Sequence, residues 1–491
     1  MSSGKPDYYS LLGLKRDANQ EDIKRAYFEA AQKLHPDKNT AAGETELFLD
    51  VQQAYEVLSN PQRRMQYDAI LPPEEKIELP YPYNLVCSRP SLRQMDEPQM
   101  LYVILELEPT LEARLTPAPP LNVCLVLDRS TSMKGEKMDV VKAAAVQVLR
   151  NLRPQDILSV VTFSDRAEVV IPASFYDERS RLESKIQMIQ PSGATEIYQG
   201  LNAGANEVMR SLDSSRVNHI VLLTDGHTYG DEQDCLALAS KVSEQGIGIS
   251  AMGIGAEWND IFLDVLATRT GGSSAFIAEP RDIKRLLLEK FNALAQIYAE
   301  EVVLNRAPSE GIDLSYAFRL QPDPSPIAVD TRMRLGTILH DASTQILLEY
   351  IIQPKAVKSA LTEILLGTLK VSIASQRLPV PPVQLKASLT VSESPETEPP
   401  PDKIVQALSR LMLYRLQERA QEEARNGRIE SATRHLQTLA SNLMSRGENG
   451  LAQTIMLEVD HLQKQSALTS EGSKKMNYGT RALLNAPPKK E

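Results

Sequence analysis

The stretch LNVCLVLDRSTSMKG, residues 121–135, decides the fold of the region around it. Its first seven residues are mostly apolar, which is typical of a strand buried on both faces of a sheet. Oxygen-bearing side chains then occupy every second position, at Asp128, Ser130 and Ser132. In doubly wound α/β sheets the ligand crevice lies beyond the carboxyl ends of the strands. The pattern therefore predicts a binding site at the end of a first strand.

The residues that follow, to about position 302, alternate between strand and helix patterns. The predicted strands are LNVCLVL, DILSVVTF, HIVLLT and IGISAMGI. The predicted helices are KMDVVKAAAVQVL, EIYQGLNAGANEVMRSL, DCLALASKVSEQ, NDIFLDVLATR and RDIKRLLLEKFNALAQIYAEEV. Aliphatic strands that alternate with amphipathic helices indicate a parallel sheet with helices on both faces, a doubly wound α/β (Rossmann-like) domain.

Two further loops carry oxygens to the same predicted edge of this sheet. PSGATEIYQGL places Thr195 just before a helix, and HIVLLTDG ends a strand on Thr224 and Asp225. A set of carboxylates and hydroxyls without imidazole or thiolate disfavours zinc and copper and suits Mg²⁺. A hydroxyl-capped helix start explains any one of these loops. It does not explain three loops in this order.

The three loops together resemble a von Willebrand factor A (vWA) domain and its metal-ion-dependent adhesion site. DRSTS matches the D-x-S-x-S motif, SGATEIYQGL the threonine loop, and LLTDG the distal aspartate. The resemblance implies an intact site for Mg²⁺ or Mn²⁺, with Ser130, Ser132 and Thr195 as close ligands. Asp128 and Asp225 would act directly or through water, Asp128 mainly by orienting the serines. An Asp or Glu of a client protein could replace one metal-bound water, which is binding without a reaction.

The N-terminal region, residues 1–72, has apolar residues at helical spacing, and the polar stretch QKLHPDKN interrupts it. Pro36 cannot continue a helix and pushes His35 out of the helical region, so the helix should end near Leu34. His35 and Asp37 then lie on a stiff turn. A carboxylate held on such a turn can engage a partner's arginine at low entropic cost.

The segments DYYSLLGL, IKRAYFEAAQKLHPDKN and AYEVLSNPQRRMQYD resemble a J domain, the module by which DnaJ-type co-chaperones engage a DnaK-type chaperone. The resemblance implies that the HPD turn stimulates ATP hydrolysis by the chaperone and that basic residues of the preceding helix aid docking. The residues so assigned are His35, Pro36, Asp37, Lys24, Arg25 and Lys33.

The predicted docking helix departs from the J-domain pattern. Phe28 and Glu29 stand where many members carry a basic pair, and Leu49 and Gln52 replace frequent lysines. A less basic helix reduces electrostatic steering, so weak or selective engagement, or an inert J domain, remains an alternative. The chain also lacks a Gly/Phe-rich segment and CxxCxGxG repeats. Clients would therefore be selected by the regions after the J domain.

The remaining regions are predicted from strand alternation and proline-rich breaks. The strands STQILLEYII, LLGTLKVSIAS and VQLKASLTVS indicate an antiparallel β-sandwich, which earlier strands complete, so that the vWA domain is inserted into it. The C-terminal region has helical periodicity. The predicted domains are 1–72 (J domain), 73–118 (linker and first sandwich strands), 119–302 (vWA domain), 303–395 (β-sandwich), 396–402 (linker), 403–466 (helical hairpin or bundle) and 467–491 (mobile tail).

Composition excludes several other classes of protein. The formal net charge of −10 argues against general nucleic-acid binding, because phosphate contacts need a basic surface. Three separated cysteines, Cys87, Cys124 and Cys235, indicate neither a disulfide framework nor a zinc site. No apolar run is long enough for a membrane span, and the N-terminus has no signal core. We therefore expect a cytoplasmic protein.

The motifs favour an adaptor over an enzyme. Aspartate-based phosphatases carry D-x-D-x-T, whose second Asp is the general acid, and Ser130 stands at that position here. The chain has no GxSxG elbow and no Walker A sequence. An adaptor co-chaperone would bring a DnaK-type chaperone to a client held at the metal site. The alternative is a metal-dependent scaffold for an AAA+ ATPase, since bacterial A domains often serve such machines.

Overall fold

The structure is a computed structural model of the 491-residue chain. It describes residues 8–14, 18–34, 44–70, 79, 81–174, 179–228, 230–306, 309–357, 361–374, 380–392 and 399–485.

The N-terminal region folds into helices around one small core. The helices are α1 (Tyr8–Leu11), α2 (Gln20–Leu34), α3 (Glu44–Leu58) and α4 (Pro61–Ile70). Ile23 of α2 packs with Val51, Ala54 and Leu58 of α3, and all four are buried. Helix α2 ends at Leu34, the position at which Pro36 predicts a stop. The predicted helical periodicity is confirmed.

Three strands and a short helix precede the predicted α/β domain. They are β1 (Tyr83–Cys87), β2 (Ser91–Arg93), β3 (Gln99–Leu107) and α5 (Leu111–Leu115). The Thr110 hydroxyl accepts a hydrogen bond from the Ala113 amide (3.1 Å), which satisfies one of the free amides at the start of α5.

The central region is a six-stranded sheet with helices between its strands. Its elements are β4 (Leu121–Asp128), α6 (Glu136–Asn151), β5 (Ile157–Phe163), β6 (Ala167–Ser174), α7 (Arg179–Gln187), α8 (Ile197–Arg210), β7 (Val217–Thr224), α9 (Glu232–Glu244), β8 (Ile247–Ile254), α10 (Asp260–Thr268), β9 (Ser274–Ile277) and α11 (Ile283–Leu294). The strand order is β6-β5-β4-β7-β8-β9. Only β6 runs antiparallel to its neighbour. The predicted α/β domain is confirmed.

Strand β4 is buried on both faces, which explains its mostly apolar sequence. Val123 and Leu125 belong to one buried cluster. Cys124 and Val126 belong to the cluster on the other face. Because alternate side chains of a strand point to opposite faces, a central strand covered by helices is apolar at most positions.

The last predicted helix of this domain is too long. Helix α11 ends at Leu294, and β10 (Ile297–Asn305) begins three residues later. The residues of β10 pair with strands on both sides, so sheet pairing overrides a local pattern that also suits a helix. Strands β6 and β9 and helix α7 were not predicted, because they are short or half-exposed and lack a clear apolar period.

The strands after the α/β domain join those before it in two further sheets. They are β10, β11 (Ile312–Gln321), β12 (Ser325–Pro326), β13 (Arg332–Leu339), β14 (Thr344–Ile352), β15 (Leu361–Ser372) and β16 (Val383–Ser392). One sheet has the order β1-β3-β14-β11-β12 and the other β13-β10-β15-β16-β2. Val103 and Leu105 of the first sheet share a buried cluster with Val302, Leu304 and other residues of the second. We call these two sheets the β domain.

The described C-terminal residues, 399–485, form four helices. They are α12 (Asp402–Arg425), α13 (Ile429–Ser445), α14 (Asn449–Gln465) and α15 (Ser470–Asn485). Leu436, Leu439 and Leu443 are fully buried in the core of this region, which confirms the predicted helical periodicity. The expectation of a mobile tail from residue 467 is wrong for α15, since Met476 and Arg481 are buried against neighbouring elements. Across the described ranges, none of the helices combines the length and apolar character that a membrane span requires.

Arg319 joins the β domain to the α/β domain. It lies on β11, is 4% exposed, and donates hydrogen bonds to the carbonyls of Gly271 (3.0 Å) and Gly272 (2.8 Å), which precede β9. Gly336 makes room for it, because a Cβ there would lie 2.2 Å from Arg319 Nη1. The other acceptors are the carbonyls of Asp323 and Leu335 and the hydroxyl of Ser325.

We expect Arg319→Met to lower the free energy of unfolding by about 3 kcal/mol, because four partly or fully buried carbonyl oxygens lose a donor. Urea denaturation followed by circular dichroism measures this. Arg281→Met is the control, since Arg281 is 76% exposed and its pair with Glu279 lies at the surface. Equal midpoints for the two variants would show that the buried guanidinium does not stabilise the junction.

Candidate functional site

The predicted oxygen donors lie at one edge of the α/β sheet. Strand β4 ends on Asp128, and its neighbour β7 ends on Thr224, directly before Asp225. The two strands are parallel and in register, with Leu127 opposite Leu223. Their carboxyl ends therefore present these side chains side by side, as expected for a topological switch point.

Asp128 is fully buried at the centre of this edge. Its Oδ1 accepts a hydrogen bond from the Ser130 amide (2.7 Å), and its Oδ2 accepts one from Thr224 Oγ1 (2.7 Å). Burial raises the pKa of Asp128, although the bonds from Thr224 and Ser130 oppose this shift. The Asp128 carboxylate thus joins the loop that carries Ser130 to the end of strand β7.

Three oxygens of the site form a continuous chain of contacts. Ser130 Oγ lies 2.9 Å from Ser132 Oγ, and Ser132 Oγ donates to Asp225 Oδ1 at 2.6 Å. The second oxygen of Asp225 accepts from Lys137 Nζ at 2.5 Å. Two hydroxyls of the D-x-S-x-S loop and a carboxylate that follows β7 are therefore already in contact.

The threonine loop lies beside this chain. Thr195 is 6% exposed, and a Cβ placed on Gly226 would lie 3.1 Å from its Oγ1. The loop is tied to the D-x-S-x-S loop, because the Gly193 carbonyl accepts from Thr131 N (3.1 Å) and Thr131 Oγ1 (2.6 Å). The fold thus brings all five sequence-predicted oxygen donors to one edge of the sheet.

The loop after β7, which carries Asp225, also supports helix α8, which follows Thr195. The Ile197 amide donates to Thr228 Oγ1 (3.1 Å), and the Tyr198 amide donates to Asp231 Oδ2 (2.8 Å). First-turn amides have no partner within a helix, so these side chains supply the caps that α8 needs. Thr228 and Asp231 were not predicted, because they lie more than 30 residues away in sequence from the helix they cap.

The donor set fits a hard divalent cation. Its members are hydroxyl and carboxylate oxygens, and two carboxylates contribute the negative charge. Within the described ranges, no group of three or more His, Cys, Asp or Glu residues is placed to hold a metal. The two serines and the threonine would therefore have to complete the coordination.

The predicted chaperone-contact residues are described only in part. His35, Pro36 and Asp37 lie outside the described residues, and so does the side chain of Lys33. Lys24 and Arg25 are exposed on α2, and Arg25 forms an ion pair with Asp22.

The departures from the J-domain pattern are also on the surface. Phe28 is 58% exposed on α2, and Glu29 next to it is exposed as well. An apolar ring and an acid therefore occupy the docking helix where basic side chains were expected.

Family models match three parts of the chain. Residues 7–68 match the DnaJ domain and residues 122–291 match the von Willebrand factor type A domain. The chain carries a J domain and a vWA domain. Residues 402–486 match the model described as "Sll0103-like, C-terminal alpha-helical domain". This third match includes α15, which agrees with its packed position in the helical region.

Individual proteins resemble the chain over different lengths. "Uncharacterized protein sll0103" of Synechocystis sp. is 26% identical over 378 residues, 75% of this chain and 89% of that protein. Mouse "DnaJ homolog subfamily B member 12" is 56% identical over 62 residues, 13% of this chain and only 16% of that protein. That likeness concerns the J domain alone.

A solved structure shares the fold of most of the chain. The von Willebrand factor type A protein from Catenulispora acidiphila has a TM-score of 0.63 and covers 83% of this chain and 98% of its own. The sequences are 15% identical, so the likeness shows the fold alone.

Sequence reasoning missed Lys137, which contacts the predicted metal ligand Asp225. A signal was present, because Lys137 is the second residue of α6. Cations are unfavourable near the positive end of a helix dipole, so a lysine at this position indicates a nearby acceptor.

We expect Gly193→Ala to weaken Mg²⁺ binding about tenfold or more, which corresponds to about 1.4 kcal/mol. Gly193 has φ +84°, and its Cβ would lie 2.2 Å from Asp165 Oδ1 and 2.9 Å from Ser164 Oγ, so the side chains that pack against the loop before Thr195 must shift. Calorimetry with Mg²⁺ measures the change. Gly246→Ala is the control, because Gly246 has φ +75° and open space around it at the far end of β8. Equal affinities in both variants would contradict the prediction.

Proposed function

We propose that this protein is an adaptor co-chaperone. Its J domain would recruit a DnaK-type chaperone and stimulate its ATPase through the HPD turn, and its vWA domain would hold a client or partner protein through a Mg²⁺-dependent site. The observation that carries the proposal is that one chain joins a J domain to a vWA domain whose site oxygens meet at a single edge of the sheet.

Ser130, Ser132 and Thr195 would be the close ligands of Mg²⁺ or Mn²⁺ in this proposal. Asp128 would act through water and by orientation, because its two oxygens already accept bonds from Ser130 N and Thr224 Oγ1. Asp225 would contribute charge from the end of β7. The ion would supply an electrophilic position where a water gives way to a carboxylate of the partner.

The site is proposed to bind rather than to catalyse. Its residues offer no general acid at the position that a phosphatase would need, since Ser130 stands there. His227 lies two residues after Asp225 in sequence and is exposed. No GxSxG nucleophile sequence stands near it. A site that binds one carboxylate without turning it over suits a client-recruiting module.

The proposed contact with the chaperone is selective rather than strong. Lys24 and Arg25 keep a positive surface on α2, whereas Glu29 and the exposed Phe28 reduce it. Association steered by charge is faster when the docking surface is more basic. Stimulation of the chaperone should therefore need a higher concentration of this protein than of a J domain with a basic pair at these positions.

We also propose that the vWA domain is an insertion in a β-sandwich. Both sheets of the β domain contain strands that precede the vWA domain in sequence and strands that follow it. They share one buried cluster, and Arg319 joins them to the inserted domain. A client bound at the metal edge would then be held on a rigid base.

We expect His35→Gln to abolish stimulation of a cognate DnaK-type chaperone's ATPase and to leave Mg²⁺ binding unchanged. Steady-state ATPase assays and calorimetry measure the two activities. His435→Gln, the same change in α13, is the control. Equal stimulation with and without the His35 change would refute the co-chaperone half of the proposal. Retained capture of an AAA+ ATPase without any stimulation would favour the scaffold alternative.

We expect Asp128→Asn to abolish Mg²⁺ binding without unfolding the domain. Because burial raises the pKa of Asp128, the amide removes the cost of a buried charge, although its nitrogen cannot accept the second of the two hydrogen bonds. These effects oppose each other, so the metal-free variant should stay folded near neutral pH, with a melting temperature close to that of wild type. Calorimetry with Mg²⁺ and thermal melting in chelator measure both effects.

Asp165→Asn is the control for this experiment. Asp165 accepts a hydrogen bond from Ser164 (2.9 Å) close to the threonine loop, but it is outside the proposed ligand set. This variant should keep its Mg²⁺ affinity. Undiminished binding in Asp128→Asn would refute the metal half of the proposal.

A further inference from the structure

Lys137 and Asp225 form an ion pair inside the predicted metal site. Lys137 Nζ lies 2.5 Å from Asp225 Oδ2 and 3.4 Å from the Ser132 carbonyl oxygen. The Asp225 side chain is fully buried, whereas that of Lys137 is 31% exposed. The ammonium therefore reaches from the rim of the site to a carboxylate that water does not contact.

The position of Lys137 in its helix is unfavourable by itself. Helix α6 begins at Glu136, so Lys137 lies where the helix dipole is positive and where acids such as Glu136 and Asp139 are favoured. A buried carboxylate without a counter-charge is strongly unfavourable, because its lost hydration is not replaced. The need of Asp225 for a cation explains why a lysine points here.

We propose that Lys137 is a positioning residue of the metal site, the internal counter-cation of Asp225 that competes with the divalent ion and sets its affinity. This inference rests on the metal-binding half of the proposed function. Without a metal, Lys137 would keep Asp225 neutralised and the loop in place. With a metal, the ammonium and the ion would repel each other across one carboxylate.

The ion pair also bears on which partner the loaded site prefers. Asp128 and Asp225 together balance the charge of a divalent ion, so Lys137 leaves the loaded site with a surplus positive charge. A positive site in partly desolvated surroundings favours an anionic ligand. Lys137 would thus lower the affinity of the site for the metal. It would raise the affinity of the metal-loaded site for the client's carboxylate.

The geometry of Asp225 does not depend on Lys137 alone. Asp225 Oδ1 accepts from Ser132 Oγ at 2.6 Å, and the residue directly follows β7, which pairs with strands on both sides. Removing the ammonium should therefore leave the carboxylate in place but uncompensated. The metal-free state is then the one that loses stability, and a metal relieves the loss.

The test uses the full chain with Lys137→Met and Lys137→Gln, and Lys134→Met as the control. Lys137→Gln removes the charge but keeps a donor for Asp225, so it also reports if the methionine variant folds poorly. Lys134 is exposed in the loop before α6, three residues earlier, so Lys134→Met removes the same charge close to the site without touching Asp225. Mn²⁺ and Mg²⁺ affinities are measured by calorimetry, and melting temperatures with chelator and with metal.

We expect both Lys137 variants to bind Mn²⁺ about tenfold more tightly than wild type. Their melting temperatures in chelator should fall, and the rise on adding metal should be larger than in wild type. Lys134→Met should match wild type in each measurement. A purely structural role for Lys137 would lower the melting temperature and leave the metal affinity unchanged.

A second readout tests the effect on the partner's carboxylate. Acetate is titrated into the Mn²⁺-loaded protein, and proton relaxation of water reports the loss of a metal-bound water. Wild type should lose this signal at a several-fold lower acetate concentration than either Lys137 variant. Equal acetate dependence would overturn the claim about partner preference.

The outcomes separate this inference from the proposed function. Unchanged or weaker metal binding in both Lys137 variants, with binding in wild type, overturns the role of Lys137 and leaves the metal site standing. No metal binding in any of the proteins overturns both. Binding in the Lys137 variants but not in wild type supports the inference and shows that the lysine occupies the site.

Discussion

The buried carboxylate of Asp128 is the constraint on which the metal edge depends. It ends the central strand β4 and accepts bonds from the Ser130 amide and Thr224 Oγ1, so one side chain joins the D-x-S-x-S loop to the neighbouring strand. A buried acid must be satisfied on both oxygens. Because these bonds satisfy it, the serine hydroxyls are held where Ser132 meets Asp225.

The regions around the vWA domain fasten both edges of its sheet. Arg319 ties the β domain to the loop before β9, at the edge opposite the predicted metal site. Helix α15 holds the loop after β8, since Ser470 Oγ (2.6 Å) and Lys474 Nζ (2.8 Å) both donate to the Ala256 carbonyl. The buried ion pair between Arg481 and Asp264 fastens α15 to α10. These contacts favour a site that is formed before its partner arrives, which lowers the entropic cost of binding.

Local patterns predicted the elements whose burial is regular. Strand β4 and its neighbours are mostly apolar because helices cover both faces, and helix α2 ends where Pro36 requires. Strand β10 was assigned to a helix because its apolar residues suit either period and only its sheet partners decide. The tail helix α15 was missed because its buried face includes Lys474 and Arg481, which are polar in sequence and buried only by their partners.

The sequence by itself determined the J-domain and vWA resemblances and the oxygen donors of three loops, because these follow from residue type, spacing and order. Only the tertiary structure decided which groups those donors contact. It placed Lys137 against Asp225, Thr228 and Asp231 on the first turn of α8, and α15 against the vWA domain. Such contacts join residues distant along the chain, and their energies depend on burial and distance, which no local pattern encodes.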